Sequence, residues 1–336
     1  MSMNDEVLQR LQNAGLLSDQ ELDLGNVPTG SYALNKIISG DYHKGIPIGM
    51  ITQIHGEAST AKTVFATHIL KEAQQKGYYT LLVDSENAYS TEFASALGID
   101  PTKLIYAAPE TLEDCFETIE STIKSIREVD QDTPIVIAYD SIAVSPSKAE
   151  YEAESYEGNN MQGAVRAKAT GACLRKINPL MRKYKVALVV INQIRNKVGV
   201  MFGDNSTPAA GGKSLEYYLG VNLKSLSAKS ERILNDRKQI IGIRGRCKNT
   251  KNKVSVPFRE CEFELVYDKG LNPYYGLLNQ LVSDGTVEQS GAWFSYKDTK
   301  FQNKTFNDGL LTDDKFSELR KEIGLWMKKK KILCLC

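Results

Sequence analysis

Long apolar runs are absent: no stretch approaches the ~18 residues that a membrane-spanning helix requires, so such a helix is excluded. The first 25 residues lack the basic-then-apolar order of a secretory signal, and residence in the cytoplasm is expected. Histidine is scarce, limited to His43, His55 and His68, and the six cysteines (Cys115, Cys173, Cys247, Cys261, Cys334, Cys336) show no C-x-x-C spacing. A structural zinc site is therefore not expected, and the thiols are expected to be free. Net charge is nearly absent too, at +1. No internal repeat is visible.

What the chain does have is length: 336 residues, enough for one large core and a small appended domain at roughly 100–200 residues per domain. The near-neutral balance conceals a strong asymmetry. Residues 161–260 hold 21 Lys+Arg against 5 Asp+Glu, a balance of +16, which leaves 21 against 36 in the remainder. Such a concentration reads either as a polyanion-binding middle segment or as a solvated basic surface.

Periodicity sets the expected architecture. Val7, Leu8, Leu11, Leu16 and Leu17 suggest a short N-terminal helix, and residues 25–49, rich in Gly and Pro, read as a linker with room for a helix over 32–38. Apolar runs at 50–55, 80–84, 135–139 and 187–191 predict strands, separated by helical patterns at 63–76, 112–129 and 165–184. This β/α alternation implies an α/β fold with a mostly parallel sheet covered by helices on both faces. Runs at 220–226, 240–247 and 255–267, with no helices between them, predict an antiparallel extension. From residue 271 the pattern changes to short helices and one small strand at Trp293–Tyr296, a small α+β C-terminal domain ending in a Lys-rich tail at 328–331. The expected units are residues 1–29, 30–270 and 271–336.

The segment Gly56-Glu57-Ala58-Ser59-Thr60-Ala61-Lys62-Thr63, with Val64 following, leaves a predicted strand and opens a predicted helix, the context of a phosphate-binding P-loop. Backbone N–H groups there wrap phosphates, a lysine neutralises their terminal charge and a hydroxyl holds Mg²⁺. Lys62 and Thr63 fit those roles. Ala61 departs from the usual glycine and adds a methyl where chain and phosphate approach closely. The strand at 135–139 leads into Asp140, the form of a second Mg²⁺-organising acid acting through water. Glu86, just past the strand ending in Asp84, fits either a base that polarises water or a helix-start charge.

These residues resemble one family, the RecA-type recombinases, including the phage UvsX branch. The resemblance is carried by Asp84-Ser-Glu-Asn-Ala-Tyr with Leu97-Gly-Ile-Asp, and by Ile191-Asn-Gln-Ile-Arg-Asn-Lys-Val-Gly-Val-Met-Phe-Gly203. Further matches are Asp140-Ser-Ile-Ala-Val-Ser-Pro-Ser-Lys-Ala-Glu150, Lys251-Asn-Lys253 and Gly291-Ala-Trp-Phe-Ser-Tyr296. Val165-Arg-Ala-Lys168 and Asn272-Pro-Tyr-Tyr-Gly-Leu-Leu278 look more like UvsX, which suggests a phage source and the host cytoplasm. The resemblance implies a RecA-type P-loop ATPase core that binds ATP and Mg²⁺. It implies Glu86 as catalytic base, Lys62 and Thr63 on phosphate and metal, Asp140 as the second metal-organising acid, and Phe93 stacked on adenine. Gln193 would sense the γ-phosphate, and Lys251 and Lys253 would reach the ATP of a neighbouring subunit.

The implied activity is DNA-dependent ATP hydrolysis by a helical filament, a homo-oligomer on single-stranded DNA, that pairs it with homologous duplex DNA and exchanges strands. A single-strand-binding protein and a loading mediator are implied partners. Residues 194–212 supply Arg195, Lys197, Phe202, Gly211 and Gly212 in a segment too glycine-rich for regular structure, suited to follow a nucleic-acid backbone. Met161, Gln162 and Gly163 would form the tip of a second loop, ahead of a helix presenting Lys168 and Arg175 on one face at a spacing of seven. Rival readings stay open. A ring-forming helicase of the same fold is opposed by the Asn192-Gln-Ile-Arg195 run and by Gly291-Ala-Trp. A hydrolysis-deficient mediator draws support from Ala61 alone. A metabolic kinase lacks an evident acceptor site.

Overall fold

Val136 and Ala138 pack into one apolar cluster, while Ile135, Ile137 and Tyr139 pack into another on the opposite side. The next strand divides in the same way, Ala187, Val189 and Ile191 against Val186, Leu188 and Val190. A strand apolar on both sides must be covered on both sides, so these runs are the interior strands of a parallel sheet. The structure is a computed structural model that describes residues 23–153, 162–196, 206–208, 212–226 and 232–325, with Val7 and Arg10. For Gln162, Arg195, Asn196, Ser206, Thr207, Pro208, Gly212 and Lys213 only the backbone element is described.

In chain order the elements are β1 (Asn26–Val27), α1 (Tyr32–Ser39), β2 (Ile46–Pro47), β3 (Ile51–Gly56), α2 (Lys62–Gln75), β4 (Tyr79–Asp84), α3 (Thr91–Ala96), β5 (Leu104–Ala107) and α4 (Leu112–Val129). There follow β6 (Ile135–Asp140), α5 (Lys148–Tyr151), α6 (Gln162–Lys183), β7 (Val186–Asn196), β8 (Ser206–Pro208), α7 (Gly212–Tyr218) and β9 (Leu219–Leu226). The remainder comprises β10 (Arg232–Leu234), β11 (Ile240–Asn252), β12 (Glu260–Val266), β13 (Gly270–Leu271), α8 (Leu277–Ser283), β14 (Glu288–Ser290), β15 (Trp293–Tyr296), β16 (Thr299–Gln302), α9 (Asn303–Gly309) and α10 (Ser317–Glu322).

The main sheet runs β13-β12-β11-β9-β3-β7-β6-β4-β5, with β10 on β11 and β8 on β7. From β9 to β5 every neighbouring pair on this path is parallel, and β11, β12 and β13 extend it antiparallel. Parallel order brings the C-terminal ends of β3, β4, β6 and β7 to one edge, where ligands of such sheets bind. α2 packs on one face and α4 with α6 on the other.

Three expectations need correction. β5 was not anticipated, because it is a four-residue edge strand whose central Ile105 and Tyr106 are exposed and give no buried run. The segment 194–212 is not wholly irregular: Ile194, Arg195 and Asn196 pair antiparallel with Pro208, Thr207 and Ser206. The strand at Trp293–Tyr296 is the middle of three, β14-β15-β16. That small sheet encloses a cluster of its own, built on Phe294, Phe301, Phe306 and Phe316. Asp284, at the end of α8, ties this region to α1 and the turn after it, meeting Lys36 at 2.9 Å and Tyr42 at 2.6 Å. The N-terminal helix, apart from the helical Val7 and Arg10, and the Lys-rich tail lie outside the described residues.

Candidate nucleotide site

Gly56 ends β3, and the chain turns through residues 57–61 before α2 begins at Lys62. Ser59 and Ala61 both adopt positive φ, 61° and 66°. A Cβ on Gly56 would lie 2.4 Å from the Ser225 carbonyl oxygen and 2.8 Å from Thr60 Oγ1, so only glycine fits there. The loop is braced from within and from outside: Thr60 Oγ1 donates to the Glu57 carbonyl at 2.9 Å, and Ser225 Oγ donates to the Thr60 carbonyl at 2.5 Å. Val64 anchors the first turn of α2 in the core. The unshared N–H groups of that turn face the loop mouth, an arrangement suited to an anion. Lys62 Nζ donates to the Glu57 carbonyl at 2.5 Å. Burial lowers its pKa, against the pull of Asp140, Glu86 and Glu57.

Asp84, Glu86 and Asp140 gather beside Thr63. Thr63 Oγ1 donates to Asp140 Oδ2 at 2.6 Å. Burial pushes the Asp140 carboxyl up to about 6; the Thr63 bond opposes this, and the charges of Glu86 and Asp84 add to it. Asp84 accepts from the backbone N–H of Glu86 (3.1 Å) and of Tyr89 (2.9 Å), and from the Tyr106 hydroxyl (3.2 Å), so it shapes the turn that carries Glu86. Glu86 Oε1 accepts from Ser141 Oγ at 2.6 Å. Ser85 Oγ in turn donates to the Ser141 carbonyl at 2.9 Å and accepts its N–H at 3.1 Å. Ser85, Ser141 and Tyr106 were not legible as site residues, since their roles arise from the pairing of β4 with β5 and β6.

Phe93, on α3 and 39% exposed, lines pockets on both sides of the loop. One holds Thr63, Asp84, Glu86 and Asp140. The other is closed by Ile243, Leu265 and Tyr267, residues that sequence reasoning passed over. An exposed aromatic just beyond β12 was the only available signal for Tyr267. Gln193 pairs in register with Gly56. Lys251 and Lys253 do not join this group. Asn252 pairs with Val221, and Val221 with Thr52, four positions before Gly56 and so about 13 Å away along the strand at ~3.3 Å per residue. Lys251 Nζ donates to the Glu216 carbonyl instead, and burial, with Lys253 nearby, lowers its pKa.

Gln162 and Gly163 do not form a loop tip but the first turn of α6, because the helix begins at Gln162, three residues before the expected start; Gly163, Lys168 and Arg175 are exposed on it. Arg195 lies in β7 and Gly212 opens α7, whereas Met161, Lys197, Phe202 and Gly211 lie outside the described residues. Part of the basic charge of residues 161–260 is neutralised in space by acids from elsewhere in the chain. Lys176 meets Glu120, Lys185 meets Asp132 and Arg244 meets Glu264, each at 2.8 Å, and all three acids come from outside that block. Among the described residues, Lys168 and Arg175 have no acidic partner.

A family profile described as "RecA N-terminal domain" matches residues 11–272. The chain is 36% identical over 281 residues to Protein RecA of Symbiobacterium thermophilum, covering 83% of this chain and 76% of that protein. It is 32% identical over 315 residues to Protein RecA of Clostridium acetobutylicum, covering 94% and 85%. With Protein RecA of Thermus aquaticus it shares 36% over 276 residues, covering 82% and 77%.

Proposed function

Because the chain belongs to the RecA family, it is an ATP-dependent DNA recombination protein and a DNA-dependent ATPase, and we propose how its own residues carry that activity. The observation that carries the proposal is the convergence of Lys62, Thr63, Glu86 and Asp140 at the ends of three parallel strands. Residues 56–64 cradle the phosphates through backbone N–H groups, and Lys62 leaves the Glu57 carbonyl to meet the terminal phosphate. Glu86, held by Ser141, orients and deprotonates the attacking water. Phe93 stacks on the base, and Tyr267 lines the other wall of the same pocket. Gln193, in register with Gly56, reads the terminal phosphate.

Thr63 and Asp140 offer hard oxygen donors at one point, which fits Mg²⁺ held by the hydroxyl directly and by the carboxylate through water. Bound there, the ion would offset charge on the phosphate oxygens. Lys251 and Lys253 lie too far from their own P-loop to serve it, which supports their reaching the nucleotide of a neighbouring subunit. DNA contacts are assigned to Met161, Gln162, Gly163, Lys168, Arg175, Arg195, Lys197, Phe202, Gly211 and Gly212. The units 1–29, 30–270 and 271–336 serve subunit packing, catalysis with DNA contact, and an accessory role. A phage source, the host cytoplasm, a single-strand-binding protein and a loading mediator belong to the same proposal through the UvsX-like runs. Among the described residues no helix is long and apolar enough to cross a membrane.

The test is ATP hydrolysis with and without single-stranded DNA, beside Glu86→Gln, with negative-stain images of the same mixtures. Glu86→Gln is expected to lower turnover by about 10²–10⁴-fold while filaments persist. Discrete rings, or turnover indifferent to Glu86→Gln, would count against the assignment.

A further inference from the structure

β3 lies between β7 and β9; the end of β7 carries Arg195, and the chain that continues from it to β9 carries Lys197 and Phe202. Both ends of that segment therefore lead into strands that flank the P-loop strand. Side chains on the three strands form a buried polar chain. Asn192 Nδ2 donates to Gln53 Oε1 at 3.1 Å, and Gln53 Nε2 donates to Asn222 Oδ1 at 2.9 Å. His55 Nδ1 reaches the same oxygen at 2.9 Å. An amide oxygen only accepts, so the contact to Asn222 is a hydrogen bond in the tautomer that carries its proton on Nδ1; the same nitrogen lies 3.4 Å from Gln53 Nε2. All four residues are buried. A second tie runs from β9 to the loop itself, Ser225 Oγ to the Thr60 carbonyl.

The placement of these groups matters more than their number. Asn192 precedes Gln193, His55 precedes Gly56, and Asn222 and Ser225 lie on the strand that the DNA-facing segment enters through α7. Apolar contacts tolerate small slips, whereas hydrogen bonds weaken steeply with angle, and a buried polar group left unpaired costs about 1–3 kcal/mol. A shift at the P-loop is thus passed to both strands rather than absorbed between them. We propose that Gln53, His55, Asn222 and Ser225 are positioning residues that couple the state of the P-loop to the DNA-facing segment between β7 and α7. This rests on the reading that residues 194–212 meet DNA.

The chain of donors has a direction, which makes the test specific. Gln53→Glu keeps size but replaces the donor to Asn222 by an acceptor. Asn222→Asp keeps an acceptor for both Gln53 and His55. The measurements are ATP turnover with and without single-stranded DNA, and DNA affinity with and without a non-hydrolysable ATP analogue. For Gln53→Glu the stimulation by DNA should fall about tenfold, with DNA-free turnover within about threefold of the parent, while Asn222→Asp retains stimulation. Ser225→Ala, which removes one hydroxyl, should also lose stimulation, and it decides the matter if Gln53→Glu does not fold.

Full stimulation in a folded Gln53→Glu, or in Ser225→Ala where the first variant does not fold, overturns the proposal, as does equal loss in Asn222→Asp. The double change Arg195→Ala with Lys197→Ala separates the underlying reading. If nucleotide-free DNA affinity is unaffected by it, the DNA assignment of the segment fails, whatever the polar chain does.

Discussion

Thr63 Oγ1 donates to Asp140 Oδ2 across 2.6 Å, joining residues 77 positions apart. The bond exists because β3 and β6 both flank β7 in parallel and end at the same edge. It also holds a buried carboxyl whose pKa is raised to about 6. A raised carboxyl pKa means the fold favours the protonated form, so ionisation subtracts stability as pH rises from 3.8 toward 6. The cost at neutral pH is about 3 kcal/mol at 1.36 kcal/mol per pH unit. Asp140→Asn is therefore expected to abolish hydrolysis while raising the thermal midpoint of the nucleotide-free protein at pH 7. A lowered midpoint would show that the carboxylate is better compensated than its surroundings suggest.

Ala61 occupies the left-handed region at φ 66°. That conformation costs an alanine about 1–2 kcal/mol, and glycine's extra freedom in the unfolded chain takes back about 0.4–1 kcal/mol. Ala61→Gly should therefore stabilise the protein by about 0.5–1 kcal/mol in urea unfolding, with nucleotide binding retained. Destabilisation would mean that the packing of the Ala61 methyl outweighs the backbone strain.

His68 on α2 is buried, accepts the Leu271 N–H at Nε2 (3.1 Å), and has its pKa lowered to about 4 by burial, with Lys71 adding to the effect. Above the ordinary value of 6.5 nothing is lost. Between about 6.5 and 4 the unfolded chain takes up a proton that the fold refuses, costing up to about 3 kcal/mol. Unfolding free energy measured from pH 7.5 to 4 should fall accordingly, and His68→Gln should lose that part of the slope. An unchanged slope in His68→Gln would assign the acid sensitivity elsewhere.

Arg175 and Lys176 are sequence neighbours with different fates, since among the described residues only Lys176 of the two meets an acid, Glu120 at 2.8 Å. Arg175→Ala should weaken single-stranded DNA binding and reduce its salt dependence by about one counterion. Lys176→Ala should leave affinity within about twofold, because exposed paired charges contribute little. Filter binding across a salt series distinguishes them, and equal losses would remove the pairing argument.

By itself the sequence determined the parallel core and the heart of the site. The helix at Leu112–Val129 was legible to its ends and β3, β4 and β6 to within one residue, whereas β7 runs on to Asn196, past the apolar run that marks it, because apolar runs, helical period and turn residues are properties of short windows. The P-loop is legible for the same reason: strand, turn and helix lie within one continuous stretch. Only the tertiary structure decided that Tyr267 closes the pocket opposite Phe93, that Ser225 braces Thr60, that Asn192, Gln53, Asn222 and His55 form one chain, and that Lys176, Lys185 and Arg244 of the basic block pair with acids elsewhere. Each of these joins residues that strand order brings together from distant parts of the chain, and strand order is set by how the helices cover the sheet, which no short window contains.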